Sequence, residues 1–216
     1  MTTQVVIFYI ALVKTSKTLY NRVYKNRKER NMYLIVGLGN PEEEYAKTRH
    51  NMGFDVINKL AENQGIKLNK TKMDAIYGKG EIAGEKVILV KPQTYMNLSG
   101  VAIRQYQNFY KVPEENIIVV YDDLDIEAGI LKIRKQGGPG THNGMKSVVH
   151  ELQSQNFPRI RIGIGEPAYK HDLLNYILTK IPQEDYTVLE KAIFAAAEAI
   201  PVIIEQGIDT AMNQYN

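Results

Sequence analysis

One stretch, residues 32–54, constrains the fold of this chain more than any other. It begins with a mostly apolar run over residues 34–38, which a cluster of glycine, asparagine and proline cuts off. A short apolar run bounded by turn-forming residues predicts a buried β-strand. Polar side chains follow at once, including Asn40 and His50. Because open α/β sheets bind ligands outside the carboxyl ends of their strands, we expect a functional site here.

Strand and helix patterns alternate along the rest of the chain. A hairpin is predicted over residues 75–91, with its turn at 83–85, and further strands at 117–121, 131–135 and 159–165. Helical spacing of apolar residues predicts helices at 52–64, after 92–100, at 143–152, 171–180 and 183–206. The alternation predicts an α/β fold, with a single domain whose central twisted, mostly parallel mixed sheet contains one antiparallel hairpin and is flanked by helices.

Composition limits the classes of site that this chain can build. Its 216 residues suffice for one domain with a substantial core. The sequence has no cysteine, which excludes disulfides, thiolate zinc sites and cysteine nucleophiles together. This composition is compatible with a reducing compartment, and we expect the protein to be cytoplasmic.

Residues 1–31 differ from the rest of the chain. They hold seven of the 27 lysines and arginines and one of the 24 acidic residues, so residues 32–216 carry 20 basic and 23 acidic groups, a net charge of −3. Their apolar run, at 5–13, is nine residues long, whereas about 20 are needed to cross a bilayer. We expect a basic extension outside the core and no membrane insertion, with a weak membrane-surface or nucleic-acid-binding arm as the alternative.

The candidate chemistry lies in amides, one histidine and an acidic turn. Asn40, Asn97 and Asn143 each stand beside a glycine or just after a strand, and Asp122 follows another strand. A histidine paired with a carboxylate can activate water, and amides can stabilise a developing oxyanion. The alternatives are asparagines that serve turns, solvated aspartates, or a carboxylate cluster that binds Mg²⁺.

Two glycine-containing segments do not match the nucleotide-binding motifs that they resemble. Glu42 occupies the position where a dinucleotide fingerprint requires its third glycine. The loop at 137–144 lacks the Gly-Lys-Ser/Thr ending of a phosphate-binding P-loop. Neither glycine motif therefore predicts a nucleotide cofactor.

Five segments in series resemble the bacterial-type peptidyl-tRNA hydrolase family. They are VGLGNPxxxYxxTRHNxG at 36–53, KPQTYMNLSG at 91–100, VVYDDLDIxxG at 119–129, GGPGTHNGMKS at 137–147 and FPRIRIGIG at 157–165. The resemblance covers residues 32–216. It implies a monomeric, single-domain α/β enzyme that needs no metal or cofactor and hydrolyses the ester joining a peptide to the 3′ end of tRNA.

The resemblance also assigns roles to residues. His50 would be the general base, Asp122 would orient its ring, and Asn40 would position the ester and the attacking water. Four further positions would bind substrate around the scissile bond, namely Tyr45, Met96, Asn97 and Asn143. Four would hold acceptor-stem phosphates, namely Lys132, Arg134, His142 and Arg161. Thr141 departs from the family pattern, since many members have glycine there, and we expect its β-carbon to stiffen the glycine loop or narrow its mouth.

The basic strands fit an RNA substrate. A domain with a net charge of −3 must hold RNA through a local patch, and strands 131–135 and 159–163 alternate basic with apolar residues. Arg159 is a further candidate for phosphate contact on this pattern. Two other classes stay open from the residues alone: a non-catalytic RNA-binding module, and a transferase that handles nucleosides or phosphate.

Overall fold

A computed structural model of the chain describes residues 31–167 and 169–216. Of the extension predicted at residues 1–31, residues 1–30 lie outside the described residues. Seven strands form one sheet: β1 (Met32–Gly37), β2 (Lys70–Lys72), β3 (Ala75–Ile82), β4 (Glu85–Pro92), β5 (Ile117–Asp123), β6 (Leu131–Arg134) and β7 (Arg159–Gly163). The α-helices of the described ranges are α1 (Met52–Asn63), α2 (Ser99–Tyr110), α3 (Asn143–Leu152), α4 (Leu173–Leu178), α5 (Gln183–Gln206) and α6 (Ile208–Tyr215).

The sheet is mixed, with its parallel strands at the centre. The strand order is β2-β3-β4-β1-β5-β7-β6, and the four neighbours β4, β1, β5 and β7 run parallel. Antiparallel pairs lie at both edges, β2 and β3 beside β4 and β6 beside β7. The predicted α/β class with a mixed sheet is confirmed. The antiparallel pairing of β6 with β7 was not predicted.

Two hydrophobic cores lie on opposite faces of the sheet. Ile35 belongs to the core under α1, α5 and α6, whereas its neighbours Leu34 and Val36 belong to the core under α2 and α3. Successive strand residues point to opposite faces, so a strand covered on both sides must be apolar at every position. This requirement explains the apolar run at the start of the domain.

Two glycines bring α1 against the end of β1. A β-carbon on Gly37 would lie 2.0 Å from the backbone oxygen of Gly53, and one on Gly53 would lie 2.4 Å from the backbone nitrogen of Leu38. Any larger residue at either position would force the helix away from the strand. The close approach fixes the short 3₁₀ helix Arg49–Asn51, which directly precedes α1, beside the carboxyl ends of the central strands.

The structure departs from the predicted elements in two places. All three residues of strand β2 are exposed and helix α6 is short, and neither element was predicted. Phe109 keeps the helical spacing of its apolar neighbours, but it is 57% exposed and lies under Lys72, whose Nζ is 4.1 Å from the ring centre. Within the described residues, no helix is long and apolar enough to cross a membrane.

Candidate active site

A buried carboxylate at the end of β5 forms the centre of the site. Asp122 is 2% exposed, and its two oxygens lie 3.0 and 3.2 Å from Nδ1 of His50. An ionised carboxylate can only accept hydrogen bonds, so Nδ1 must carry the proton. The unprotonated Nε2 of His50 is thereby left for the cleft that this ring lines. The predicted pairing of His50 with Asp122 is present in the structure.

A second histidine binds the same carboxylate. Nε2 of His142 lies 3.1 Å from Oδ1 of Asp122, and Nδ1 of His142 accepts a hydrogen bond from the backbone N–H of Met145 at 3.2 Å. Because Nδ1 is an acceptor, Nε2 carries the proton and donates to Asp122. Both ring nitrogens are therefore occupied inside the site. The structure revises the predicted phosphate-binding role of His142, since its ring has no donor left for RNA.

Burial and neighbouring charges act in opposite directions on the pKa values of Asp122 and His50. Burial by itself would raise the pKa of Asp122, but His50 and His142 outweigh burial and hold the pKa of that carboxyl well below its usual range. Burial also favours the neutral form of His50, yet Asp122 outweighs it and raises the pKa of His50 above its ordinary value. Asp122 is therefore ionised at neutral pH, and His50 is a stronger base than a free imidazole.

The same three side chains bring potential metal ligands close together. One ligand atom each from His50, Asp122 and His142 lies within 4.8 Å of the others. Coordination through Nε2 of His142 would require its proton to move to Nδ1, and so would break the hydrogen bond that Nδ1 accepts from the backbone N–H of Met145. Asp123, from the acidic turn, is instead paired with Arg161, with 2.6 Å between Nε and Oδ2. This donor set favours a hydrogen-bonded group over a metal centre.

A network of amides positions Asn40. Its backbone N–H donates to Oδ1 of Asn51 at 2.8 Å, and its backbone oxygen accepts from Nδ2 of Asn51 at 3.0 Å. Its side-chain oxygen accepts the backbone N–H of Met96 at 2.8 Å. These bonds orient the side chain and leave its Nδ2 donors for a ligand. No role was predicted for Asn51, although its place beside His50 in the same motif was a usable signal.

The other predicted substrate-binding residues surround this network. Met96 is buried, and its sulfur would lie 2.5 Å from a β-carbon on Gly144, so it packs closely on the residue after Asn143. Asn97 follows on the same 3₁₀ helix and is exposed, as is Asn143. Tyr45 is half-buried at the end of a separate 3₁₀ helix.

A cleft of about 340 Å³ opens beside His50. Its polar wall contains Arg134, Arg161 and the glycine loop at residues 137–141, and its apolar wall is formed by α4 through Leu173, Leu174 and Ile177. Asp122, His142 and Asn143 also line it. Thr141 contributes to the loop wall, and because its φ is not positive its β-carbon causes no backbone strain. The cleft therefore offers cations on one side and an apolar surface on the other.

The predicted phosphate-binding residues do not all share this cleft. Arg134 is exposed in it, and Arg161 lines it while paired with Asp123. Lys132 does not line the cleft, because its Nζ donates to the backbone oxygen of Asn216 at 2.8 Å. Of Lys132, Arg134 and Arg161, Arg134 is therefore the most accessible cation.

Arg159 corrects an inference from the basic strand pattern. It is 1% exposed, and its guanidinium donates to the backbone oxygens of Gly138 and Gln155 at 2.9 and 3.1 Å. The guanidinium carbon also lies 4.6 Å from the ring centre of Phe157. Arg159 therefore anchors the glycine loop from inside the fold and does not reach RNA.

The fold and the site together define a class of protein, an α/β protein that brings a histidine, a buried carboxylate and several amides together at the carboxyl ends of its central strands. Comparison with known proteins names the family. Residues 34–216 match the family model described as Peptidyl-tRNA hydrolase. The chain belongs to the peptidyl-tRNA hydrolase family, as the five sequence segments predicted.

Individual relatives match over the same part of the chain. Peptidyl-tRNA hydrolase of Alkaliphilus metalliredigens is 52% identical over 185 residues, which cover 86% of this chain and 100% of the relative. That of Clostridium novyi is 50% identical over 185 residues, covering 86% and 98%. A crystal structure of peptidyl-tRNA hydrolase from Acinetobacter baumannii has a TM-score of 0.82 at 39% identity, covering 87% of this chain and 95% of the other.

Proposed function

We propose that this protein hydrolyses the ester between a peptide, or an N-blocked amino acid, and the 3′ end of tRNA, with His50 as the general base. Membership of the peptidyl-tRNA hydrolase family supports the reaction. One observation carries the mechanism: Nδ1 of His50 donates to buried Asp122, so the unprotonated Nε2 is presented to the cleft. A base of this kind removes a proton from water as the water attacks the ester carbonyl.

Three roles complete the proposed mechanism. Asp122 keeps the His50 ring in the productive tautomer and stabilises the imidazolium that forms when water loses its proton. His142 is a positioning residue, because its N–H fixes the second oxygen of Asp122. The Nδ2 donors of Asn40, Asn97 and Asn143 bind the ester and stabilise the tetrahedral oxyanion as charge develops on it. No step in this scheme requires a metal or cofactor.

The tRNA end of the substrate lies along the polar wall of the cleft. Arg134 and Arg161 bind acceptor-stem phosphates there, and these contacts carry no sequence information. Tyr45 and Met96 contact the peptide and the terminal nucleotide on the side of Asn40. Lys132 would join the phosphate patch only after releasing Asn216. We also propose that the protein acts as a monomer in the cytoplasm, where peptidyl-tRNA arises during translation.

The test compares two esters that differ only in the α-amino group. Purified protein is incubated in EDTA with N-acetyl-aminoacyl-tRNA and, separately, with the unblocked aminoacyl-tRNA. We expect rapid release of tRNA from the blocked ester and far slower release from the free one. Binding without cleavage would favour the RNA-binding module instead. Turnover that depended on phosphate or Mg²⁺ would favour the transferase.

A further inference from the structure

A buried arginine adjoins the proposed base without taking part in the mechanism. Arg49 precedes His50 and is 5% exposed. Its Nη2 lies 2.6 Å from Oδ2 of Asp185, its Nη1 donates to the backbone oxygen of Tyr176 at 3.3 Å, and its guanidinium carbon is 3.9 Å from the centre of the Tyr176 ring. Burying a guanidinium is costly unless it is paired, so these contacts must hold Arg49 in place.

The contacts of Arg49 reach the helix that forms the apolar wall of the cleft. Helix α4 has six residues and none of them is buried. It lines the cleft with Leu173, Leu174 and Ile177, and Leu174 is 69% exposed. A helix this short is not stable by itself and depends on contacts with the rest of the fold.

Tyr176 supplies those contacts to α4. Its ring lies against Arg49, and its hydroxyl donates to the backbone oxygen of Ile164 at 2.5 Å. Backbone contacts also join the residues just before Arg49 to the residues that follow α4. The N–H of Ile181 donates to the backbone oxygen of Lys47 at 2.9 Å, and Thr48 forms an antiparallel bridge with Lys180. The apolar wall and the segment that carries His50 therefore form one connected unit.

We propose that Arg49 is a positioning residue which, by stacking on Tyr176, sets the apolar wall of α4 at the distance from His50 that fits the terminal nucleotide of the substrate. This inference rests on the hydrolase function proposed above. The nucleotide end is indicated because the wall faces the same cleft as Arg134 and Arg161, which would hold the adjoining phosphates. The flat faces of the bases are apolar, and the wall offers them the exposed side chain of Leu174 beside the partly exposed Leu173 and Ile177.

The proposal predicts a change in KM with little change in kcat. Loss of a buried stacking contact should raise KM about tenfold, because the wall binds ground state and transition state alike. Tyr176→Ala is the main variant, since Tyr176 is only partly buried; Arg49→Gln removes the other partner. Tyr176→Phe keeps the ring and should have a KM closer to that of the wild type. The double variant should be no worse than the worse single variant, because the two residues act through one contact.

The substrate should separate this contact from the phosphate patch. A short mimic, an N-acetylated amino acid esterified to adenosine, has a terminal nucleotide but no acceptor stem. KM for this mimic should rise in Tyr176→Ala as much as KM for the full substrate. Phe194→Ala is the matched control, because it removes a similar cation–aromatic contact, with Nζ of Lys59 4.4 Å from the ring centre, on a residue that does not line the cleft.

Steady-state kinetics of these variants and the wild type, with melting temperatures, decide the matter. A raised KM for the mimic, with unchanged kcat and an unchanged pH profile, would support the proposal even if Arg49→Gln failed to fold. An unchanged KM in folded Tyr176→Ala would overturn it, as would a fall in kcat with a shifted pH profile, since Arg49 would then act on His50 itself. Absence of cleavage by the wild type would remove the proposed function and this inference with it.

Discussion

Replacing Asp122 by asparagine should move the pH dependence of the reaction in a defined direction. The carboxylate lies 3.0 Å from Nδ1 of His50 and raises the pKa of that ring against the opposing effect of burial. Asparagine keeps the size of the side chain and removes the charge. Burial then acts without the opposing charge, so the pKa of His50 should fall below its value in the wild type.

The sign of the change follows from the role of the base. Only unprotonated His50 can accept a proton, so activity falls as the pH drops through its pKa. In Asp122→Asn this acidic limb should therefore lie at lower pH than in the wild type. Turnover at neutral pH should fall about 10- to 100-fold, because one ring N–H loses its acceptor and the imidazolium loses its partner.

The assay is the rate of cleavage of N-acetyl-aminoacyl-tRNA between about pH 5 and pH 9, the range that brackets the histidine pKa. Asp123→Asn is the matched control, since Asp123 is the next residue along β5 and pairs with Arg161 instead of His50. Its acidic limb should coincide with that of the wild type. An unmoved limb in Asp122→Asn would refute the argument that Asp122 sets the basicity of His50.

Three further predictions concern binding and stability. Arg134→Ala should raise KM for the full tRNA substrate and leave kcat, and the cleavage of the short mimic, nearly unchanged. It should also reduce the slope of log affinity against log salt by somewhat under one unit, and Arg161→Ala should have the same effects. If either variant slowed cleavage of the short mimic as much as cleavage of full tRNA, the phosphate assignment would be wrong. Burial raises the pKa of Asp55 to about 6 against the influence of Lys91 and Lys47. The contribution of Asp55 to stability is therefore present below pH 3.8 and is lost as the pH rises through 6. Asp55→Asn should raise the free energy of unfolding at pH 8 by about 1 to 3 kcal/mol but not at pH 3.5, and an equal gain at both pH values in denaturant titrations would contradict this prediction. Removing residues 1–31 should leave activity and melting temperature unchanged, because every motif lies downstream, whereas a large fall in melting temperature would show that these residues pack on the domain.

Helices and strands with a strong apolar pattern could be predicted from the sequence. The hairpin turns between Ile82 and Glu85 as predicted, and α3 spans the predicted residues Asn143–Leu152. Strand β2 was missed because its residues, Lys70, Thr71 and Lys72, are all exposed and carry no apolar alternation. The spacing of apolar residues indicates which face of an element is buried. An edge strand without a buried face has no such spacing and cannot be predicted in this way.

The basic strands show why side-chain roles are harder to predict than strands. Arg159 and Arg161 lie on the same face of β7, two residues apart, and the alternating pattern treats them alike. In the structure Arg159 donates to backbone oxygens of the glycine loop, while Arg161 pairs with Asp123 in the cleft. The difference depends on which chain segments pack beside each residue, and sequence spacing does not contain that information.

His142 illustrates the same limit within the site. The sequence placed it near the basic residues because it follows the glycine loop. Its contact with Asp122 depends on the packing of α3 beside the end of β5, two elements about 20 residues apart. By contrast, His50, Asn40 and Asn51 lie in one motif, and their proximity follows from a single strand-to-helix connection.

The central claim is that His50 activates the water that cleaves the ester. The most direct measurement is single-turnover cleavage of N-acetyl-aminoacyl-tRNA by the wild type and by His50→Ala, with enzyme in excess so that binding and product release do not limit the rate. We predict that the rate falls about 10²- to 10⁴-fold, the usual contribution of a positioned base, while the melting temperature and the affinity for tRNA stay close to those of the wild type. A rate within about threefold of the wild type, far below that contribution, would contradict the claim and assign the base to another group.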